Sequence, residues 1–307
     1  MAFVRQRTLK NSVSCRGIGL HSGAVVTMTL RPSAAGTGIV FRRIDLPGKP
    51  EIAARYDRVA DTTLCTQIAE GEVRVGTVEH LMAAFSALGV DNVVVELDGP
   101  EVPVMDGSAQ PFVFLIECAQ LLEQTMARTY IRVLKPVEVE HGNKAVRLMP
   151  AERFGVSVEI DFDSQAIARQ TCGVLVDAGA FRRELAKART FGFADQVEQL
   201  RALGLIRGGS LDNAVVVQGD KVLNEGGLRY EDEFVRHKAL DAIGDLALAG
   251  APILGHYVGV RAGHALNNAL LLALFEDAEA WTATHVEDRV IGARAPLPVG
   301  RLAAAPY

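Results

Sequence analysis

The sequence lacks most features that mark secreted or membrane-spanning proteins. Its 4 cysteines are widely spaced and include no CxxC pair, so the chain predicts neither a zinc ribbon nor a redox dithiol and favours reduced thiols in the cytoplasm. No apolar run approaches the length that spans a bilayer, and the first residues lack the apolar core of a signal peptide. We therefore expect a cytoplasmic protein without a transmembrane segment, while peripheral membrane contact stays open.

An excess of basic residues is also missing. The formal net charge is -5, whereas nucleic-acid-binding proteins present a clustered basic face. We therefore expect no nucleic-acid partner. With 49% hydrophobic and 22% charged residues, the 307-residue chain has the composition of a globular protein that is long enough for two cores.

The predicted secondary structure follows one order twice, which indicates an internal duplication. In each half, strands precede a helix, a buried strand and a second helix, predicted at residues 77–88, 90–97 and 108–124 and again at 233–250, 256–261 and 264–277. We predict an α+β fold of two topologically similar domains, residues 1–127 and 128–307, each a β-sheet layered against two α-helices. Residues 165–210 have no counterpart in the first half, and we predict an insert there that shapes the functional site.

The helix predicted at residues 233–250 carries polar side chains along one face. His237, Asp241 and Asp245 recur every four residues, so the His237 imidazole and the Asp241 carboxylate can point at one position, as metal ligands do. A satisfied core histidine and solvated carboxylates give the same spacing. At this point both interpretations stay open.

Two more histidines lie in or beside predicted helices. His80 and its neighbour Glu79 lie in an apolar helix, where they indicate either a metal ligand beside a water-activating carboxylate or a core histidine beside a solvated glutamate. His264 opens a helix directly after a predicted strand, and the helix dipole there disfavours a protonated imidazole. If His264 acts as an acid, a carboxylate such as Asp245 must restore its pKa; otherwise it only caps the helix.

Eight motifs occur in a fixed order over nearly the whole chain. They are GIGLHSG at 17–23, DTTLCTQI at 61–68, TVEHLMAA at 77–84, MDGSAQPF at 105–112, ARTFGF at 188–193, IRGGSLDNAVV at 206–216, HKALDAIGDL at 237–246 and GHALNN at 263–268. Together they resemble those of the UDP-3-O-acyl-N-acetylglucosamine deacetylases, zinc amidases of bacterial lipid A biosynthesis. The resemblance implies a hydrolase of two similar α+β domains that holds one Zn²⁺ per chain.

The resemblance also implies a catalytic role for residues at the matching positions. The implied zinc ligands are His80, His237 and Asp241. The implied acid–base residues are Glu79 as general base and His264, oriented by Asp245, as general acid. The residues implied to hold the developing oxyanion are Thr190 and Lys238.

The implied substrate is the acylated UDP-sugar UDP-3-O-acyl-N-acetylglucosamine, abbreviated acyl-UDP-GlcNAc. Phe191 and Phe193 would line its sugar and acyl side, and the implied contacts to its UDP part are Lys144, Asp161, Phe162 and Arg261. Arg261 replaces a lysine of some family members, which keeps the charge but changes its geometry. Within the insert we expect an apolar passage for the acyl chain bounded by Val197 and Ile206. Ordinary core packing is the alternative for these apolar side chains.

Two other functions compete for the same residues. A non-haem iron oxygenase uses the same two-histidine, one-carboxylate ligand set, but it needs no general base such as Glu79 beside the metal. A metal-stabilised nucleotide-sugar-binding protein would leave the acid and the base idle. We expect the protein to be a monomer.

Overall fold

A computed structural model describes residues 3–287. The first two residues of the predicted first domain and residues 288–307 of the predicted second domain lie outside the described part. The described residues form twenty strands and six α-helices. The helices are α1 (Glu79–Leu88), α2 (Gln110–Ala119), α3 (Ala178–Ala180), α4 (Val197–Ala202), α5 (Glu233–Leu246) and α6 (His264–Glu276). The strands of the first half are β1 (Arg5–Leu9), β2 (Val13–Ile18), β3 (Val25–Pro32), β4 (Ile39–Arg43), β5 (Glu51–Ala53), β6 (Val59–Asp61), β7 (Gln67–Glu70), β8 (Val73–Val75), β9 (Val93–Leu97) and β10 (Leu121–Ala127). Those of the second half are β11 (Thr129–Val133), β12 (Val137–His141), β13 (Lys144–Pro150), β14 (Gly155–Asp161), β15 (Arg169–Leu175), β16 (Phe191–Phe193), β17 (Val215–Gln218), β18 (Lys221–Val222), β19 (Ile253–Val260) and β20 (Trp281–His285).

The two halves share one sheet topology. The first sheet has the strand order β2-β3-β9-β4-β5, and the second contains the order β12-β13-β19-β14-β15. In both, the middle strand is antiparallel to one neighbour and parallel to the other. Each middle strand also lies between two helices in the chain, α1 and α2 or α5 and α6. This correspondence confirms the α+β fold class with two similar units.

Alternating side chains explain how each sheet holds its helices. In β3, Val26, Met28 and Leu30 are fully buried, while the residues between them are not. Such a period of two gives the strand one apolar face. Helix α1 consists of good helix formers and ends at Gly89, whose φ of 72° suits the left-handed cap. The helices can therefore cover the apolar face of the sheet.

One helix ends earlier than predicted. The second helix of the first half was expected over residues 108–124, but α2 stops at Ala119 and strand β10 begins at Leu121. Gln120 between them has a φ of 59°, which breaks the helix. β10 pairs along its length with β1, and this long-range pairing outweighs the local helical pattern. The domain boundary expected at 127/128 falls between β10 and β11 and stays a prediction.

The segment expected to be an insert has three parts. Its beginning, β15, pairs with β14 in the large sheet as β5 pairs with β4 in the first, so the expectation that the whole segment lacks a counterpart is wrong for residues 169–175. Residues 178–185 then form α3 and a π-helical turn, and β16 joins β17 and β18 in a small sheet. Next to its end, Gly208 packs so closely on the first half that an added Cβ would lie 2.3 Å from the Gly19 carbonyl oxygen. The segment therefore contacts the loop that carries GIGLHSG.

Aromatic rings join the two halves away from this segment. Tyr56 of the first half stacks on Phe275 of α6, with ring centroids 4.3 Å apart. Trp281 meets the same Phe275 edge-on at 5.0 Å. All three side chains line a cleft of about 610 Å³ between the halves.

None of the helices in residues 3–287 combines the length and the apolar character needed to cross a bilayer.

Helices α1 and α5 pack with almost no space between their backbones. A Cβ added at Gly244 of α5 would lie 2.0 Å from the carbonyl oxygen of Glu79 in α1. No real Cβ tolerates that distance, so any larger residue must push the helices apart. The glycine is therefore required by the close approach and not by its backbone angles.

Replacing this glycine should weaken the fold. We expect Gly244→Ala to lower the free energy of unfolding by about 1–3 kcal/mol, because the added methyl group overpacks a rigid contact. Gly226→Ala is the matched control, since no atom lies within 4 Å of its added Cβ, and its effect should stay within about 0.5 kcal/mol. Chemical denaturation measures both, and equal stabilities of the two variants would contradict the packing argument.

Candidate active site

Two histidine side chains, one from α1 and one from α5, converge on a carboxylate oxygen of α5. His80 lies one residue after the start of α1, and His237 and Asp241 lie one turn apart in α5. Asp241 Oδ1 is 3.3 Å from His237 Nε2 and 3.6 Å from His80 Nε2. All three side chains are buried. The spacing that predicted two ligands on one helix face therefore brings His237 and Asp241 together, and α1 adds the third group.

The donor atoms of this cluster suit a cation. Asp241 Oδ1 is buried and has no hydrogen-bond partner within residues 3–287, which is costly unless a further group satisfies it. His237 donates its Nδ1 proton to the Ala188 carbonyl at 3.0 Å, so its Nε2 lone pair faces the cluster. Burial lowers the pKa of His237 to about 3 and keeps it neutral. His80, His237 and Asp241 thus form a group that could hold a metal ion.

Glu79 lies directly beside this cluster and is buried. Its Oε2 accepts a hydrogen bond from the backbone N–H of Thr66 at 3.1 Å. Burial, the largest influence, raises the pKa of Glu79, because the charged form loses its hydration. A carboxylate with a raised pKa is a better proton acceptor.

His264 and Asp245 form a buried pair whose charges also act on Glu79. His264 Nδ1 donates to Asp245 Oδ2 at 2.8 Å. Burial alone would lower the pKa of His264, but the charge and hydrogen bond of Asp245 outweigh it, and the pKa rises to about 9. The imidazole is therefore protonated at neutral pH. The pairing of these two residues agrees with the sequence interpretation.

Lys238 contacts the cluster directly, whereas Thr190 is related to it only through the chain, two residues after the Ala188 carbonyl that accepts from His237. Lys238 Nζ donates to Asp241 Oδ2 at 2.7 Å, and this attraction outweighs burial and raises the pKa of the lysine. Thr190 follows Ala188 by two residues, and its backbone N–H donates to the Gly107 carbonyl at 2.8 Å. The roles of Thr190 and Lys238 as donors to the oxyanion stay predictions.

Phe191 and Phe193, expected at the sugar and acyl side, both lie beside Phe162, which was expected to contact the UDP part. Phe162 meets Phe191 at 5.8 Å and Phe193 at 5.9 Å between ring centroids. Phe191 in turn lies 6.4 Å from the His237 ring, measured between centroids. All three phenylalanines are partly exposed. They form an aromatic wall that begins at the metal-ligand cluster.

The charged residues expected to contact UDP lie at the end of the large sheet. Arg261 forms a close ion pair with Asp161, and its backbone has a φ of 49°, a left-handed conformation that is rare for arginine. Lys144 precedes Ala145, which pairs with Val260, so the lysine lies beside Arg261 in the register. Asp161 precedes Phe162 in the chain and therefore joins these charges to the aromatic wall.

The two residues expected to bound an acyl passage are partly buried. Val197 begins α4, and Ile206 lies in the loop after it. The Ile206 N–H points at His21 Nδ1 of the first half, 3.5 Å away. The distances connect Ile206 with the GIGLHSG loop, while the passage itself stays a prediction.

Several residues that build this site were given no role by the sequence, although Thr66 lies in the motif DTTLCTQI and Asn267 in the motif GHALNN. Thr66 and Asn267 both donate to Asp245, and Tyr257 donates to Asn267. Arg189 and Glu233 form a buried ion pair at 2.9 Å that fixes the Ala188 segment to the start of α5. In the sequence, Glu233 was only the first residue of the helix predicted at 233–250. Its position inside ARTFGF was the one sign that Arg189 belongs to the site.

A buried group of two histidines and a carboxylate, close to a further buried carboxylate and a protonated histidine, is typical of metal-dependent hydrolases. A family model described as UDP-3-O-acyl N-acetylglycosamine deacetylase matches residues 6–276. A UDP-3-O-acyl-N-acetylglucosamine deacetylase of Acidithiobacillus ferrooxidans is 53% identical over 297 residues, 96% of each chain. One of Chromohalobacter salexigens is 51% identical over 288 residues, 93% of this chain and 95% of that protein. The chain therefore belongs to this family of deacetylases, which are hydrolases, and the resemblance inferred from the motifs is confirmed.

Proposed function

We propose that this protein removes the N-acetyl group of UDP-3-O-acyl-N-acetylglucosamine, releasing acetate, as a zinc-dependent step of lipid A biosynthesis. One observation carries the proposal within the family. Besides burial, the charges of His80 and Asp241 act on the pKa of Glu79, and the charge of Asp241 acts on the pKa of His264, so a proton acceptor and a proton donor lie close to one candidate cation position. Hydrolysis of an amide requires both.

One zinc ion per chain would be held by His80, His237 and Asp241. The unpartnered Asp241 Oδ1 and the neutral His237 support this ligand set. When bound, zinc would act as a Lewis acid and make a water molecule acidic near neutral pH. Three protein ligands leave a position open, as catalytic zinc sites do.

The chain's own residues would move two protons. Glu79, whose pKa burial raises, takes the proton from the attacking water. His264 is protonated at neutral pH and gives its proton to the departing amine. Asp245 orients the His264 ring through Nδ1, which leaves Nε2 for the substrate. Thr190 and Lys238 would stabilise the oxyanion, as donors close to the cluster.

The substrate would lie across the aromatic wall. Phe191 and Phe193 would contact the sugar and acyl side, Phe162 and Asp161 the nucleoside, and Lys144 and Arg261 the diphosphate. A lysine and an arginine next to each other suit a diphosphate because both carry a positive charge. Val197 and Ile206 would bound the acyl chain. Cytoplasmic location and a monomeric state stay predictions.

Acetate release tests the function directly. Purified protein loaded with zinc should convert acyl-UDP-GlcNAc to the free amine with one acetate per turnover, followed by mass spectrometry and an acetate assay. An intact acetamide after long incubation would instead support a nucleotide-sugar-binding protein. Consumption of dioxygen by protein loaded with Fe(II) in place of zinc would support an iron oxygenase.

The ligand and base roles separate in mutants. His237→Ala should lose stoichiometric metal as well as activity. Glu79→Gln should keep its metal and its fold but lose about 10²- to 10⁴-fold in rate, because only the proton acceptor is missing. Metal analysis and acetate release measure the two effects. Stoichiometric zinc in His237→Ala would contradict the ligand set, and a near-normal rate of Glu79→Gln would contradict the base role.

The pH profile tests the acid. Activity needs protonated His264, so it should fall as the pH rises through the pKa of that residue, about 9 before substrate binds. Asp245→Asn removes the charge that raises this pKa and leaves burial to lower it, so the alkaline limb should move to lower pH. Asp277→Asn is the control: it removes a partly exposed carboxylate that pairs with Lys135 at the end of α6, and it should keep the parent profile. An unchanged limb in Asp245→Asn would end the assignment of Asp245 as the partner of His264.

A further inference from the structure

Thr66 contacts both the general base and the carboxylate that orients the general acid. It lies between β6 and β7, and it is buried. Its backbone N–H donates to Glu79 Oε2 at 3.1 Å, and its hydroxyl donates to Asp245 Oδ1 at 2.6 Å. Glu79 belongs to the first half and Asp245 to the second. A single threonine thus joins the two proton-transferring sides across the contact between the halves.

The Asp245 carboxylate is held on both oxygens. Oδ1 accepts from Thr66, while Oδ2 accepts from His264 Nδ1 and from Asn267 Nδ2, each at 2.8 Å. The Tyr257 hydroxyl donates to the Asn267 carbonyl oxygen at 2.6 Å, which fixes the orientation of that amide. All these groups are buried, so no solvent can replace a lost donor.

We propose that Thr66 is a positioning residue for the reaction proposed above, in which its hydroxyl fixes Asp245 and thereby aims His264 while its backbone N–H holds Glu79. The inference rests on the proposed function. It adds a residue whose side chain reaches neither the zinc ligands nor any contact assigned to the substrate.

Two different donors on one residue make the proposal testable. Replacing the side chain removes the hydroxyl and keeps the backbone N–H, so Glu79 stays held while Asp245 Oδ1 loses its donor. The carboxylate can then rotate, and the His264 ring turns with it. Small errors of geometry cost rate because the acid must meet the departing amine in the transition state.

Thr66→Val has the shape of threonine without the hydroxyl. We expect its kcat to fall about 10- to 100-fold with KM changed less than about 3-fold, because only proton delivery is misaligned. Metal content should equal that of the parent. Thr66→Ser restores the hydroxyl and should recover kcat to within about 3-fold.

Thr8→Val is the matched control. Thr8 is also buried, and its hydroxyl donates at the same 2.6 Å, but to the Asn92 carbonyl oxygen in the first half. This variant should lose stability yet keep kcat when assayed below its melting temperature. An equal fall of kcat in Thr8→Val, or a Thr66→Val variant within twofold of the parent, would overturn the proposal.

A double-mutant cycle isolates the route through Asp245. If Thr66 acts through this carboxylate, Thr66→Val with Asp245→Asn should be no slower than Asp245→Asn alone. Multiplied losses would overturn the proposal. Failure of the proposed function gives a different result, because a zinc-loaded parent would then release no acetate, and this inference would fall with it. A parent that turns over beside an unaffected Thr66→Val refutes the inference alone.

Discussion

Helices α1 and α5 approach each other so closely at Gly244 that the Glu79 backbone fills the space of a side chain. This contact decides where the functional groups lie. Glu79 and His80 extend from α1, and His237 and Asp241 from α5, so the distance between the helices sets the distance between the ligands. His80 Nε2 of α1 lies 3.6 Å from Asp241 Oδ1 of α5 because no side chain separates the two backbones, whereas His237 reaches the same oxygen from within α5.

The same contact forces charged groups into the interior. Glu79, Asp241, Asp245 and His264 are all buried, which costs free energy unless each finds a partner. Thr66, Asn267 and Lys238 satisfy most of their atoms. Asp241 Oδ1 is the carboxylate atom of this group left without a donor in the described part of the chain. Function is concentrated where the hydrogen bonding is incomplete.

Local patterns in the sequence contain much of this arrangement. The period of four predicted that His237 and Asp241 share a face, and the apolar surroundings of His80 indicated a buried histidine. The order of elements predicted the duplicated fold. The end of α2 was not predictable, because β10 forms through pairing with β1, more than a hundred residues away. Thr66 and Asn267 lie in the motifs DTTLCTQI and GHALNN, but a motif gives no partner for a threonine or an asparagine, and only the packing of the helices and of the halves brings them to Asp245.

The aromatic contact between the halves has a spectroscopic consequence. Trp281 is the only tryptophan of the chain, and it lies against Phe275, which stacks on Tyr56 of the opposite half. Its indole N–H is buried without a hydrogen-bond partner in the part of the chain that the structure describes. Any separation of the halves would let water reach this N–H and shift the emission to longer wavelength. The single tryptophan thus reports how firmly the two halves of the protein are closed.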